Sequence, residues 1–126
     1  MTKDEYMQYH RESCDKMISI TKAKNADYTG TDKSPFANFS RTELNGVCST
    51  EQGFLVRMGD KFARITSFVQ KGVLMVKDES VEDTLLDLAN YCILMAGFIK
   101  QKRTEKETYE KTLIGSGASS NIGSGG

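Results

Sequence analysis

Three polar residues stand at helical spacing within the most apolar part of the sequence. Asp83, Asp87 and Asn90 follow one another at i, i+4 and i+7, which places them on one face of a helix. Their apolar and aromatic neighbours around that face are Leu86, Tyr91 and Leu94. Two carboxylates among such neighbours are costly unless a cation or a hydrogen-bond donor compensates them. Because carboxylate oxygens suit Mg²⁺, this pattern predicts a divalent-metal site.

A further acid extends this candidate metal site by about one helical turn. Glu79 precedes Asp83 by four residues, so Glu79, Asp83 and Asp87 are the predicted ligands of Mg²⁺ or Mn²⁺. An alternative stays open for each of them. Glu79 and Asp83 would only complement the helix dipole at its first turn, and Asp87 would pair with a lysine or an arginine.

Basic residues form a strip on the preceding apolar segment. Arg57, Lys61 and Arg64 lie beside its apolar stripe, and Asp60 lies at the edge of the same strip. Basic side chains at this spacing can hold phosphate oxygens, and arginine does so in bidentate fashion. Alternatively, they neutralise the acids near residue 87 as internal salt bridges. The phosphate role is favoured, because two carboxylates cannot fully neutralise three cations.

The stretch from residue 25 to residue 49 is punctuated by Asn, Asp, Gly, Ser and Pro, which predicts a long loop. A loop of this length in a compact domain is often functional. Lys24, Asp27 and Tyr28 open it, and Phe36, Asn38 and Phe39 follow its single proline. An aromatic ring beside an Asn amide suits stacking on a base and reading its edge, so these residues are candidate substrate contacts. The alternative is that the rings fill the core beneath the loop.

Periodicity and capping signals predict three long helices. Their expected bounds are about Lys3 to Lys24, Ser49 or Thr50 to Gly72, and Ser80 to about Lys111. Capping-box spacing supports the first two starts, through Thr2 with Glu5 and Ser49 with Gln52. A short helical turn is expected after Ser34–Pro35, since proline suits the first helical position.

The predicted fold class is all-α, a small helical bundle of three long helices plus a long loop with short helical turns. The third helix is apolar nearly all round from Leu85 to Ile99, so it is expected to be central and buried. Residues 1–112 would form one helical domain, and the Gly/Ser-rich residues 113–126 a flexible tail. Three helices in so small a chain leave apolar surface on the third helix, which predicts a homo-oligomer, a dimer or larger.

Composition bounds the classes of function. Of 126 residues, 17 are Lys or Arg and 17 are Asp or Glu, so no net field favours nucleic acid or a membrane. Three cysteines without a Cys/His ligand cluster argue against zinc and against a disulfide framework. The charged N-terminus is not typical of a signal peptide, and no apolar run is long enough to span a bilayer. A cytoplasmic protein without membrane or nucleic-acid partners is expected.

Four short segments carry a resemblance to a known family. They are Lys24–Tyr28, Pro35–Phe39, Arg57–Arg64, and Asp78–Ser80 with Asp83–Tyr91. In this order they resemble the nucleotide-modification-associated domain 1 family, which is common in phages and bacteria. The likeness covers roughly residues 20 to 100. That family in turn is similar to the all-α nucleoside triphosphate pyrophosphohydrolases of the MazG and dimeric dUTPase group.

The resemblance implies a Mg²⁺-dependent pyrophosphohydrolase that acts on nucleoside or deoxynucleoside triphosphates. Enzymes of that group hold Mg²⁺ with acids from two adjacent helices, in an EExxE motif and a later ExxD motif. Asp83 and Asp87 would stand in for ExxD, with a spacing of four instead of three and Asp in place of Glu. The EExxE motif is missing here. The candidate catalytic residues are Asp60, Lys61 and Asp87.

The same resemblance implies a nucleotide-binding site, a cytoplasmic location and a homo-oligomeric state. Lys61, Arg57 and Arg64 would steady the phosphates, and Phe36 and Asn38 would contact the base. The full set of candidate substrate contacts is Lys24, Asp27, Tyr28, Phe36, Asn38, Arg57, Arg64, Asn90 and Tyr91. A homo-oligomer in the cytoplasm (the host's, for a phage protein) would act in nucleotide metabolism or modification. Two alternatives stay open: a non-catalytic nucleotide-binding protein with the same pocket, and a helical interaction module.

Overall fold

The computed structural model describes residues 1–27, 34–73 and 80–124, with side chains up to residue 115 apart from that of residue 27. These ranges contain four helices and no strand: α1 Lys3–Asp27, α2 Ala37–Leu44, α3 Thr50–Lys71 and α4 Val81–Ser124. The all-α class predicted from the sequence is therefore confirmed. None of the helices within these ranges is long and apolar enough to cross a membrane.

Capping boxes fix the starts of α1 and α3, at the positions that the sequence predicts. At α1, Thr2 N donates to Glu5 Oε2 over 2.8 Å, and Glu5 N donates to Thr2 Oγ1 over 3.1 Å. At α3, Ser49 N donates to Gln52 Oε1 over 2.9 Å, and Gln52 N donates to Ser49 Oγ over 3.1 Å. Each box gives partners to backbone N–H groups that the first helical turn would otherwise leave without one.

The sequence predicts the C-terminal end of α3 well and that of α1 less well. Helix α3 ends before Gly72, as expected, because Gly72 adopts the left-handed φ of 77° that glycine reaches without steric cost. Its N–H donates to Phe68 O over 2.6 Å. Helix α1 continues to Asp27, past the expected end near Lys24, since neither Gly nor Pro interrupts that stretch.

The short helix α2 follows Pro35 and packs closely on the first turns of α3. Glu43 Oε2 accepts hydrogen bonds from Thr50 N over 3.1 Å and from Thr50 Oγ1 over 2.5 Å. A Cβ atom added at Gly53 would lie 3.3 Å from Thr42 Oγ1, so glycine at this position permits the close approach of the two helices. The helical turn expected after residue 35 is thus a two-turn helix, held against α3 by a carboxylate.

Few apolar side chains are buried, and α4 is not the buried helix that the sequence predicts. Among the described residues the buried apolar side chains are Phe36 and Phe54. On α4 the fully buried side chain is Thr84, while Leu85 is 46 % exposed and Ile93 61 % exposed. The prediction fails because a helix that is apolar all round needs neighbours on every side. The described part of this chain covers only part of the α4 surface.

The chain divides into two compact units, Met1–Met95 and Ala96–Gly126. The first unit contains α1, α2, α3 and the first fifteen residues of α4, with every candidate site residue that the structure describes. Within the second unit, α4 reaches Ser124 rather than ending near Lys111. Gly and Ser have low helix propensity, so nothing in the local sequence explains this extension. The domain boundary placed after residue 112 stays a prediction.

Candidate functional site

The first unit contains a cavity of about 370 Å³, referred to below as the Tyr91 pocket. Its walls come from the end of α1, from α2, from the segment between α2 and α3, and from one side each of α3 and α4. Six residues selected from the sequence line it: Lys24, Asn38, Arg57, Asp87, Asn90 and Tyr91. Residues more than sixty positions apart in the chain therefore meet at one site.

An aromatic cluster forms one wall of the Tyr91 pocket. The ring of Phe39 stacks on that of Phe54 with centroids 4.0 Å apart and planes 13° apart. Tyr91 meets Phe39 edge to face, with centroids 6.1 Å apart and planes 84° apart. Phe54 is fully buried, so the cluster is anchored in the core. Phe39, one of the two aromatic residues that the sequence indicates after Pro35, also lines the pocket.

Two basic side chains belong to the lining of the pocket. The ammonium of Lys24 lies 5.8 Å from the centroid of the Tyr91 ring, within range of a cation–π contact. Arg57, on α3, lines the pocket and is exposed. Neither side chain forms an ion pair with a carboxylate in the part of the chain that the structure describes. Both cations are thus available to an anionic ligand.

Asp87 lines the pocket and is held by a lysine of α3. Lys61 Nζ donates to Asp87 Oδ2 over 3.0 Å, and the two side chains are only 16 % and 24 % exposed. This is the internal pairing that the sequence left open as an alternative to phosphate binding by Lys61. Because the pair is largely shielded from water, each partner compensates a charge that would be costly alone.

Asp83 lies at the start of α4 and pairs with a different lysine, which the sequence pattern does not indicate. Lys16 Nζ donates to Asp83 Oδ1 over 2.9 Å. Asp83 N donates to Ser80 Oγ over 3.1 Å, and Ser80 N donates to Asp83 Oδ2 over 3.4 Å. The hydrogen bond from Lys16, and then those with Ser80, lower the pKa of Asp83 below its ordinary value of 3.8. The same contact raises the pKa of Lys16.

These contacts decide how well the carboxylates fit the divalent metal that the sequence predicts. Each of Asp83 and Asp87 faces a lysine ammonium, and the two lysines come from different helices. The described residues contain no group of three or more His, Cys, Asp or Glu side chains placed to hold a metal ion. Glu79, the third predicted ligand, lies outside the described residues. In this arrangement a lysine occupies each of the two described carboxylates, and the metal site stays a prediction.

The other selected residues lie apart from the pocket or outside the described ranges. Phe36 is buried and is not part of the pocket wall, so its position matches the core role left open from the sequence. Asp60 and Arg64, on α3, are likewise not in the lining. Asn90 does line the pocket, and its Nδ2 donates a hydrogen bond to Met17 O over 3.5 Å. Tyr28 and the side chain of Asp27 lie outside the described residues.

The Asp83 contacts predict a specific change in acid stability. A carboxyl whose pKa is lowered by folding stabilises the native state above its unfolded pKa, and this contribution disappears as the pH falls through the folded pKa. We expect Asp83→Asn to lower Tm at pH 7 and to reduce the slope of Tm against pH below about pH 4.

Thermal melts from pH 2.5 to 7 measure this effect, with Asp15→Asn, at an exposed acid of α1, as the matched control. Equal curves for the two variants would contradict the role given to the Lys16–Asp83 contact.

Comparison of the sequence with protein-family models finds no match. The curated proteins and the solved structures likewise contain none.

Proposed function

We propose that this chain binds a nucleotide in the Tyr91 pocket. The observation that carries the proposal is the convergence of aromatic, amide and basic side chains on one cavity of about 370 Å³. Sites for small molecules are typically concave, about 300 to 1,000 Å³ in volume, and mostly apolar with a few placed polar groups. An aromatic wall with three amides and two cations meets that description, and a nucleotide has the complementary parts.

Each part of a nucleotide has a counterpart in the lining. The Tyr91 ring, braced by Phe39, offers a surface for stacking a base. The amides of Asn38 and Asn90 offer both donors and acceptors to a base edge or a sugar hydroxyl. Lys24 and Arg57 offer positive charge for phosphate oxygens. The pocket thus supports nucleotide binding without requiring a metal.

From the sequence resemblance we extend the proposal to catalysis, as Mg²⁺- or Mn²⁺-dependent pyrophosphohydrolysis of a nucleoside triphosphate in cytoplasmic nucleotide metabolism or modification. Its candidate catalytic residues are Asp60, Lys61 and Asp87. Its predicted metal ligands are Glu79, Asp83 and Asp87. Hydrolysis requires Asp83 and Asp87 in an arrangement other than the lysine-bound one described here. Nucleotide binding does not require that change, and it is therefore the function that the pocket supports best.

Thermal melts with a panel of nucleotides, with and without Mg²⁺ or Mn²⁺, test binding, and analysis of the products tests hydrolysis. A nucleotide that raises the wild-type Tm should lose that effect in Tyr91→Ala. It should keep the effect in the control Tyr9→Ala, where the tyrosine is exposed on α1. If no nucleotide of the panel changes Tm at millimolar concentration, nucleotide binding in the Tyr91 pocket is refuted. Binding without metal-dependent release of pyrophosphate would refute only the hydrolase.

We also propose that the chain forms a homo-oligomer through α3. Leu55, Phe62 and Val69 are each more than half exposed and are spaced by seven residues, so they form one apolar stripe. Exposed stripes of this kind mark packing surfaces, and a stripe facing its own copy across a two-fold axis buries both at once. A second copy would supply the apolar contacts that the described residues lack.

Light scattering at micromolar concentration is expected to show a dimer or a larger assembly. Phe62→Arg should shift it to the monomer, because a charge in the stripe has no partner. Ala63→Arg, also exposed on α3 but outside the stripe, should leave the assembly intact. A wild-type monomer under these conditions would contradict the oligomer.

A further inference from the structure

The charged groups of the Tyr91 pocket do not balance. Its lining contains two cations, Lys24 and Arg57, and one anion, Asp87. Asp87 is already neutralised by Lys61, at 3.0 Å. Both lining cations are without a carboxylate partner in the described residues. Counted over the described lining residues and Lys61 alone, these groups sum to a surplus of about two positive charges.

We propose that the Tyr91 pocket selects a nucleoside monophosphate over the corresponding triphosphate and binds it without a divalent metal. The inference rests on the proposed nucleotide site and specifies its ligand class. A phosphate monoester carries about 1.5 to 2 negative charges at pH 7, which matches the surplus. A triphosphate brings further negative charges that nothing in the described lining compensates. Those charges remain solvated or incur a desolvation cost on binding.

The position of the cations points to the same ligand class. The Lys24 ammonium lies over the Tyr91 ring, 5.8 Å from its centroid, so a phosphate that pairs with Lys24 is held close to that ring. The cavity of about 370 Å³ lies near the lower end of the range for small-molecule sites. Both features suit a compact ligand with one phosphate better than an extended chain of three.

The Lys61–Asp87 pair explains why a metal is not needed for this ligand. A bare carboxylate in the lining would repel the phosphate, and a divalent cation is one way to remove that repulsion. Here the ammonium of Lys61 removes it already, at a pair that is largely shielded from water. In this arrangement the pocket matches the product of pyrophosphohydrolysis, a monophosphate, more closely than the triphosphate substrate.

Isothermal titration calorimetry in EDTA tests the inference with four probes of one base: the nucleoside and its mono-, di- and triphosphate. The base is the one that gives the largest Tm increase in the panel. We expect the monophosphate to bind about tenfold or more tightly than both the nucleoside and the triphosphate. Replacing EDTA by Mg²⁺ should leave the monophosphate affinity within about twofold.

Arg57→Ala should weaken the affinity for the monophosphate by about 10- to 100-fold while leaving the affinity for the nucleoside nearly unchanged. The control Arg11→Ala removes an exposed arginine of α1 that is not in the pocket lining, and it should leave both affinities unchanged. Circular dichroism of each variant shows that it folds. An equal loss for nucleoside and monophosphate in Arg57→Ala would overturn the phosphate role of Arg57.

The outcomes separate this inference from the proposed function. Triphosphate binding as tight as monophosphate binding in EDTA would overturn the inference and leave the nucleotide site standing. Monophosphate binding that requires Mg²⁺ would do the same. Failure of all four probes to bind at millimolar concentration, in either buffer, would overturn both.

Discussion

Replacing Phe54 by alanine is expected to lower the free energy of unfolding by about 3 to 5 kcal/mol. Phe54 is fully buried, and its ring stacks on Phe39 at 4.0 Å. The substitution removes a large apolar side chain and leaves a cavity beneath the Tyr91 pocket. Since few apolar side chains are buried in the described residues, the loss is a large part of the stability of a small domain.

Chemical denaturation followed by circular dichroism measures the Phe54→Ala effect. Tyr9→Ala, which truncates an aromatic ring that is 46 % exposed on α1, should change stability by no more than about 0.5 kcal/mol. Equal losses of stability in the two variants would contradict the assignment of Phe54 to the core.

Replacing Lys61 by alanine is expected to cost about 2 to 3 kcal/mol of stability. Removing one partner of a shielded ion pair leaves the Asp87 carboxylate without compensation at a site only 24 % exposed. The double variant Lys61→Ala/Asp87→Asn should recover part of the loss, because the uncompensated charge is gone. Lys71→Ala, at an exposed lysine in the last turn of α3, is the matched control and should be nearly neutral.

The same denaturation curves decide between the two roles that the sequence leaves open for Lys61. Unchanged or increased stability in Lys61→Ala would contradict the internal pair. It would favour the role predicted from the sequence, in which Lys61 serves a phosphate and its removal relieves repulsion among neighbouring cations.

The local features of the fold could be predicted because their causes lie within a few residues. Ser49 and Gln52 form the expected capping box at the start of α3, and Gly72 ends that helix as expected. Both signals depend on hydrogen bonds and backbone angles within one helical turn. The selection of Asp87 and Asn90 is similar, since helical spacing alone puts them on one side of α4, and both line the Tyr91 pocket.

What the sequence does not predict depends on how distant helices are rotated against each other. Lys16 and Asp83 are 67 positions apart, so nothing local indicates that they meet. The strip of Arg57, Lys61 and Arg64 suggests a shared phosphate role, yet the orientation of α3 decides which of them meets Asp87. The apolar pattern also overstates the burial of α4, because apolar composition does not show how many sides of a helix the same chain covers.

The most direct measurement of nucleotide binding in the Tyr91 pocket is an NMR titration of isotope-labelled protein with a nucleoside monophosphate. Binding predicts saturable shifts for the side-chain amides of Asn38 and Asn90 and for the backbone amides near Arg57 and Tyr91. It predicts little change for α1 residues before Cys14. The absence of shifts at millimolar ligand, or shifts confined to residues away from the pocket, would contradict the assignment of this pocket as a nucleotide site.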